Sequence, residues 1–180
     1  MSTELRGTPL PGVVELLTTP SCDNRGAFFN AFRAQEKSFI DSWGDRGIAQ
    51  VNFSRSKAIG TVRGLHFQAS PHSEAKLVRC LKGRVWDLAV DIRCNSDTYG
   101  CWYGIELTPE IGNALLIPEG FAHGFQVLER GTELLYLHSG AWVPEFEKGI
   151  RWDDPYLSIN WPLPVTELSD RDRCLPYLND

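Results

Sequence analysis

Two side chains suited to work on one acidic carbon stand close together in the sequence. Residues 62–68 read V-R-G-L-H-F-Q, and Lys76 follows in E-A-K-L-V-R. The first stretch alternates apolar and polar residues, the period of a β-strand. A regular strand puts Gly64, His66 and Gln68 on one face and Arg63, Leu65 and Phe67 on the other. Such a strand holds an imidazole at a fixed angle, and Lys76 opens a second alternating run. A base and a cation on neighbouring strands of a rigid sheet can serve one substrate. Taken alone, the stretch reads more readily as a surface arginine and a half-buried, hydrogen-bonded histidine. The rest of the chain changes that balance.

The elements that would position these residues are strands. G-V-V-E-L-L-T near the start, between Pro11 and Pro20, predicts an early strand. The segment Asp23–Phe32, D-N-R-G-A-F-F-N-A-F, predicts a turn leading into a packed strand. Its Arg25 would suit a phosphate or carboxylate. Ala34–Trp43 is the best helix candidate: Phe39, Ile40 and Trp43 fall at helical spacing and Gly44 ends it. From Ile48 onward short alternating runs follow closely: I-A-Q-V-N-F-S-R-S, V-R-G-L-H-F-Q, K-L-V-R-C-L, R-V-W-D-L-A-V-D-I, G-C-W-Y-G-I-E-L, N-A-L-L-I-P, A-H-G-F-Q-V-L and T-E-L-L-Y-L-H-S. Gly or Pro separates most of them. Strands at this spacing predict a mostly-β sandwich or closed barrel with a few short peripheral helices. The last forty or so residues read as loops too apolar to hang free, so they are expected to lie against the barrel.

Composition narrows the function. The 180 residues carry 42% hydrophobic and 23% charged residues and a net charge of −5. That is ordinary for one globular domain spanning residues 1–180. The acidic balance argues against nucleic acid as a partner, because phosphate backbones need a basic patch. No apolar run approaches a membrane span, and M-S-T-E-L-R lacks the apolar core of a signal peptide, so a cytoplasmic location is expected. Five scattered cysteines without a C-x-x-C fit a reduced compartment. They predict neither a disulfide framework nor a structural zinc site. Cys80 reads as core filler.

Residues 112–123, G-N-A-L-L-I-P-E-G-F-A-H, space Gly, Pro, Gly and His in a way that resembles the second cupin motif. In metal cupins that His is a ligand. The partner motif would need a His-x-His and a Glu, whereas this chain offers His66 and Lys76 there. A lysine in place of a ligand repels a divalent cation, so the expectation is a site without metal. His72 stands in A-S-P-H-S-E, a loop composition.

V-R-G-L-H-F-Q, E-A-K-L-V-R-C-L-K-G-R-V-W-D-L-A-V-D-I-R, I-P-E-G-F-A-H-G-F, G-I-R-W-D-D-P and L-S-D-R-D occur in order. Together they resemble the dTDP-4-dehydrorhamnose 3,5-epimerase family from about Asp23 to Asp172. The resemblance implies a cupin-type jelly-roll barrel and a homodimer with an exchanged N-terminal strand. It also implies deoxysugar biosynthesis for O-antigen or another polysaccharide. The reaction it implies is epimerisation of a 4-keto-6-deoxyhexose on a nucleoside diphosphate, with no metal or organic cofactor. His66 matches the family's base, Asp172 its carboxylate partner, with Asp170 the alternative, and Lys76 the lysine that meets the enolate oxygen. Arg63, Gln50, Asn52 and His123 match positions lining the sugar and diphosphate pocket. Arg25 matches an arginine crossing from the partner subunit, and Phe29 and Asn30 fall in the same substrate-binding segment.

Two departures from the family pattern fall at the site. L-Y-L-H-S-G-A-W-V-P-E puts Trp142 where the resemblance places an acidic tyrosine, and an indole N–H is no useful acid. The indole also fills space that a flexing sugar ring would use, so the expectation is an enzyme narrowed to C3. The alternative is that another loop residue supplies the proton and both C3 and C5 invert. Asn30 replaces a glutamate, and an amide could suit cytosine as well as thymine. Two other classes fit the residues: a sugar-binding cupin without catalysis, and a metal-dependent cupin enzyme.

Overall fold

The structure is a computed structural model that describes residues 3–33, 43 and 47–179. Its strands are β1 (Thr3–Gly7), β2 (Val14–Thr18), β3 (Ser21–Asp23), β4 (Gly26–Phe28), β5 (Gln50–Ser56), β6 (Val62–Gln68) and β7 (Lys76–Lys82). They continue as β8 (Val85–Asp91), β9 (Trp102–Leu107), β10 (Asn113–Ile117), β11 (Phe121–Val127), β12 (Thr132–His138) and β13 (Glu147–Gly149). One sheet runs β1-β2-β10-β7-β12-β5, and the other runs β13-β6-β11-β8-β9. Every strand pair within them is antiparallel. Two such sheets packed face to face form the expected cupin-type jelly roll.

The sequence pattern explains the layers. Val78, Leu115, Ile117 and Leu134 of the first sheet meet Val85, Ala89, Phe125 and Val127 of the second in the central core. Burying these apolar side chains is the main stabilising term, at about 25 cal/mol per Å² of apolar surface. The outer faces are covered too. Leu77, Leu116 and Leu137 pack with Trp43 outside the first sheet. Leu65, Leu88 and Ala122 pack with Ile150, Leu157 and Trp161 outside the second. Hence β10 and β11 are buried along their whole length. The C-terminal segment therefore lies against the barrel, as its apolar content required.

All eight strands expected between residues 48 and 139 are present. The chain differs from expectation elsewhere. Residues 3–7, for which no element was expected, form β1. Residues 147–149 add β13 beside β6. L-S-D-R-D-R, read as loop, holds a one-turn helix at Asp170–Arg173, capped by the Ser169 hydroxyl accepting from Asp172 N. The Asp23–Phe32 segment gives an exposed hairpin, β3–β4, not a packed strand. The expected helix at Ala34–Trp43 lies outside the described residues except for Trp43, which is helical and buried. Among the described residues, no helix is long and apolar enough to cross a membrane.

One irregularity shapes the site. His123 of β11 faces His66 of β6, yet Phe125 faces Arg63, so β6 carries one residue more than its partner. Such a bulge reverses the in–out alternation beyond it. Arg63 and His66, expected on opposite faces, both line the same cavity. Gly64 sits within the bulge at φ +126°, and a Cβ there would stand 2.6 Å from Gly124 Cα. Only glycine fits both the torsion and the approach.

Candidate active site

Between the two sheets, next to the central core through Phe125 and Tyr136, lies a cavity of about 920 Å³. β6 and β11 form one wall and β5, β7 and β12 the other. His66, Lys76, His123, Gln50, Asn52, Arg63, Asp172 and Trp142 all line it. The chain therefore brings together eight of the eleven residues singled out from sequence.

His66 projects from β6, and its Nε2 lies 2.8 Å from Asp172 Oδ1. Asp172 sits on the one-turn helix, 3% exposed, and its Oδ2 accepts from Gly64 N. Burial works to raise the Asp172 pKa. The hydrogen bonds from His66, Gly64 and Ser169 outweigh it and hold the carboxyl below its usual range. A carboxylate that stays ionised fixes Nε2 as the protonated nitrogen and leaves Nδ1 as the base. Asp170, the alternative partner, is exposed.

Lys76 enters from the opposite sheet. Its Nζ donates to the His66 carbonyl oxygen at 3.3 Å and lies 3.4 Å from Glu74 Oε1. Burial pushes its pKa down, and the charges of Glu74, Glu147 and Asp87 partly offset this. A buried ammonium beside the base is placed to stabilise negative charge on a substrate oxygen. His123 Nε2 pairs with Asp87 Oδ1 at 2.9 Å. Asp87 is fully buried, and burial lifts its pKa despite the imidazole.

Tyr136 of β12 was not among the expected site residues. Its ring lines the cavity, and its hydroxyl lies 3.0 Å from Ser54 Oγ. Burial pushes the phenol's pKa up, so it carries its proton at neutral pH. Tyr136 stands on the sheet opposite His66. Strand alternation in T-E-L-L-Y-L-H puts Tyr136 and His138 on one face, and that was the sequence signal. Glu74 and Glu147 also line the cavity and had no signal beyond their charge.

Trp142 lies at the rim, 55% exposed. Its Nε1 donates to Glu147 Oε2 at 2.9 Å, and Arg171 donates to the same oxygen at 3.0 Å. The indole is committed to an ion-paired carboxylate. Trp142 offers no acid, whereas Tyr136 brings a protonated phenol into the cavity. Gln50 and Asn52 bond each other at 2.9 Å, and Gln50 Oε1 accepts from Trp142 N.

Arg25, Phe29 and Asn30 do not line the cavity of their own chain. Arg25 lies in the turn of the β3–β4 hairpin, paired with Asp23. The Phe29 ring lies 5.4 Å from the guanidinium of Arg79, whose pKa burial lowers to about 10. Asn30 Oδ1 accepts from Phe32 N. Among the described residues, no three His, Cys, Asp or Glu side chains converge as metal ligands. Cys80 is buried in β7, where burial raises its thiol to about 12, too high for a nucleophile.

A jelly roll whose cavity sets a carboxylate-held imidazole and a buried ammonium against a protonated phenol holds the groups for proton transfer at a carbon beside a carbonyl. The comparisons with known proteins give the family. The model for dTDP-4-dehydrorhamnose 3,5-epimerase matches residues 7–180, and the chain belongs to that family. A dTDP-4-dehydrorhamnose 3,5-epimerase of Sinorhizobium fredii is 46% identical over 157 residues, covering 87% of this chain and 80% of that protein. The Legionella pneumophila dTDP-6-deoxy-D-glucose-3,5-epimerase, solved with dTDP-4-keto-L-rhamnose, superposes with a TM-score of 0.93 at 38% identity. That match covers 99% of this chain and 94% of the other. A 3′-monoepimerase from Streptomyces bikiniensis, solved with dTDP as a histidine-to-asparagine and tyrosine-to-phenylalanine double mutant, superposes with a TM-score of 0.88 at 31% identity. It matches 96% of this chain and 86% of its own length.

Proposed function

We propose that the chain, as one domain, epimerises a dTDP-linked 4-keto-6-deoxyhexose at the carbons flanking the ketone. The carrying observation is the opposition of His66 and Tyr136 across one cavity. A C–H beside a ketone is acidic because its electron pair can delocalise onto the carbonyl oxygen. His66 Nδ1 takes that proton, and Asp172 stabilises the imidazolium. Lys76 Nζ stabilises the enolate oxygen, so the chemistry needs neither a metal nor an organic cofactor. Tyr136 then delivers a proton from the other face and inverts the centre. In the Streptomyces bikiniensis mutant, the two replaced residues are separated by the same number of positions as His66 and Tyr136. That spacing supports the pairing.

The expectation of a C3-only enzyme rested on a missing acid and on the bulk of the indole. Tyr136 offers the acid, and the indole lies at the rim. Yet a 3′-monoepimerase has the same histidine–tyrosine spacing, so the reading of both carbons is supported by the related 3,5-epimerases and not by the pair alone. The same base–acid pair serves C3 and C5 as the ring shifts within the cavity. The nucleotide is read as dTDP, the nucleotide in the related complexes, and Asn30 Oδ1 is already engaged by Phe32 N. Arg63, Gln50, Asn52 and His123 hold the sugar and diphosphate. The protein works as a homodimer in which the β3–β4 hairpin reaches the partner's cavity with Arg25, Phe29 and Asn30. Among the described residues the hairpin pairs only with itself, and it is exposed, with Phe28 66% accessible, which supports this. A cytoplasmic place in deoxysugar supply, for O-antigen or another polysaccharide, follows from the nucleotide-sugar substrate.

The test is incubation of the enzyme with dTDP-4-keto-6-deoxyglucose in deuterated water. Deuterium at both C3 and C5, with inversion, is expected. No incorporation at either carbon would overturn the assignment.

A further inference from the structure

Lys76 is held by more than the strand that carries it. We propose that Glu74 and His138 are positioning residues for Lys76. In this arrangement the Glu74 carboxylate bridges Nζ to the imidazole and keeps the ammonium charged and aimed into the cavity. The proposal rests on the reading of Lys76 as the cation that meets the enolate.

Glu74 Oε1 lies 3.4 Å from Lys76 Nζ, and Oε2 lies 3.1 Å from His138 Nδ1. The three side chains are nearly buried, at 8% exposure for Glu74 and 10% for each of the other two. His138 faces Lys76 directly in the β12–β7 ladder. The segment carrying Glu74 is tied to the end of β12, since Ala75 N donates to Ser139 Oγ and Ser139 N donates to Ala75 O. The carboxylate is therefore fixed from both sides. With Nδ1–H donating to Glu74, His138 Nε2 is an acceptor, and the Asn52 amide nitrogen lies 3.3 Å from it.

The bridge answers a physical problem. Burial disfavours an ammonium, and a neutral amine gives an enolate little stabilisation. Two other carboxylates act on Lys76 through space. Glu147 on β13 is bonded by Trp142 and Arg171, and Asp87 on β8 is bonded by His123. Glu74 is the carboxylate in direct contact. His138 stops it from swinging away, and its bond helps hold Glu74 ionised against burial. The imidazoles of His66 and His123 line the same cavity and add no negative charge.

The experiment follows Lys76 itself. The Cε resonance of Lys76, identified in protein carrying ¹³C-labelled lysine by its loss in Lys76→Met, is titrated with alkali. In Glu74→Gln it should titrate lower than in wild type by about one pH unit or more, the usual effect of losing an adjacent opposite charge. The alkaline limb of kcat/KM should move down with it, with kcat reduced and KM nearly unchanged. His138→Leu should move both in the same direction. His138→Asn, which returns an N–H near the Nδ1 position, should restore them. Should Glu74→Gln not fold, the His138 pair carries the same test. A Lys76 titration unchanged in Glu74→Gln and in His138→Leu would overturn the proposal. A shifted titration together with normal turnover in Lys76→Met would uphold the positioning and overturn the catalytic reading of Lys76.

Discussion

Lys76 and His66 meet across the gap between two sheets, with Nζ 3.3 Å from the His66 carbonyl oxygen. The cation is thus set by the backbone of the residue that carries the base, on walls that the central core keeps apart. Lys76→Met should keep the fold, since the methylene stem survives. Turnover should fall by roughly a hundredfold or more, while nucleotide-sugar affinity weakens much less, because the charge acts chiefly when the enolate forms. Calorimetric affinity beside kcat checks this. Turnover that survives while affinity collapses would make Lys76 a diphosphate clamp.

The Asp172 prediction turns on protonation. Its pKa is held below the usual carboxylate range in the folded state. Its bonds therefore stabilise the fold fully above the unfolded carboxylate pKa, and that stability is lost as pH falls through the lowered folded value. In Asp172→Asn this loss should be absent, so urea midpoints of variant and wild type should converge on acidification from pH 6 to pH 3. Activity at neutral pH should drop on the order of a hundredfold, because the imidazolium loses its counter-charge. Parallel midpoints across that range would remove Asp172 from the linkage.

Much of this was legible in the sequence, and the exceptions have physical causes. The eight central strands were readable because alternation and Gly/Pro punctuation agree along residues 48–139. His66, Lys76 and Asp172 were readable as a set because they lie in ordered motifs. The bulge had only a faint mark, Val62 standing out of phase with Leu65 and Phe67 across Gly64, and the extra residue is defined only against β11. β13 and the one-turn helix were hidden because three or four residues leave no period, and tertiary pairing creates them. Tyr136 was less legible, because strand parity groups it with His138 without telling which face meets a cavity. Which residue fills a cavity depends on the facing sheet, not on its own strand alone.

Gly64 gives a test of the bulge. Its φ of +126° lies where side chains are rarely tolerated, and an added Cβ would press on Gly124 Cα at 2.6 Å and His123 O at 2.8 Å. Both obstacles are backbone and neither can rotate away. Gly64→Ala should lower stability by roughly 1–3 kcal/mol. It should also lower activity, since Gly64 N bonds the Asp172 carboxylate and His66 is two residues on. Denaturant midpoint and kcat should both fall. A variant as stable and active as wild type would show that the bulge can relax at no cost.

The hairpin prediction concerns assembly. If Arg25 reaches the partner's cavity, wild type should scatter light as a dimer at micromolar concentration. Arg25→Ala should stay dimeric and bind dTDP several-fold more weakly, as expected on losing one charge-assisted phosphate contact. CDP should bind more weakly than dTDP. A monomeric wild type would remove the exchanged hairpin from the account, and equal affinities would remove the preference for thymine.

The last prediction separates Tyr136 from Trp142. His66 and Tyr136 stand on different walls of the cavity, so on the proposed mechanism proton removal and proton delivery respond to different substitutions. In Tyr136→Phe, His66, Asp172 and Lys76 remain, and the enolate still forms. His66 can return a solvent-derived proton only to the face it came from. The variant should therefore incorporate deuterium with retention of configuration while inversion falls by about a hundredfold or more, the usual worth of a general acid. His66→Asn should lose exchange and inversion together. Trp142→Tyr should change neither the number of carbons exchanged nor the rate of inversion much, because the indole is an exposed group bonded to Glu147, outside the proton path. Proton NMR of the sugar ring resolves all three outcomes. Should Tyr136→Phe invert both carbons at the wild-type rate, the phenol is not the donor. Should C5 exchange appear only in Trp142→Tyr, the rim residue, and not Tyr136, supplies the missing acid.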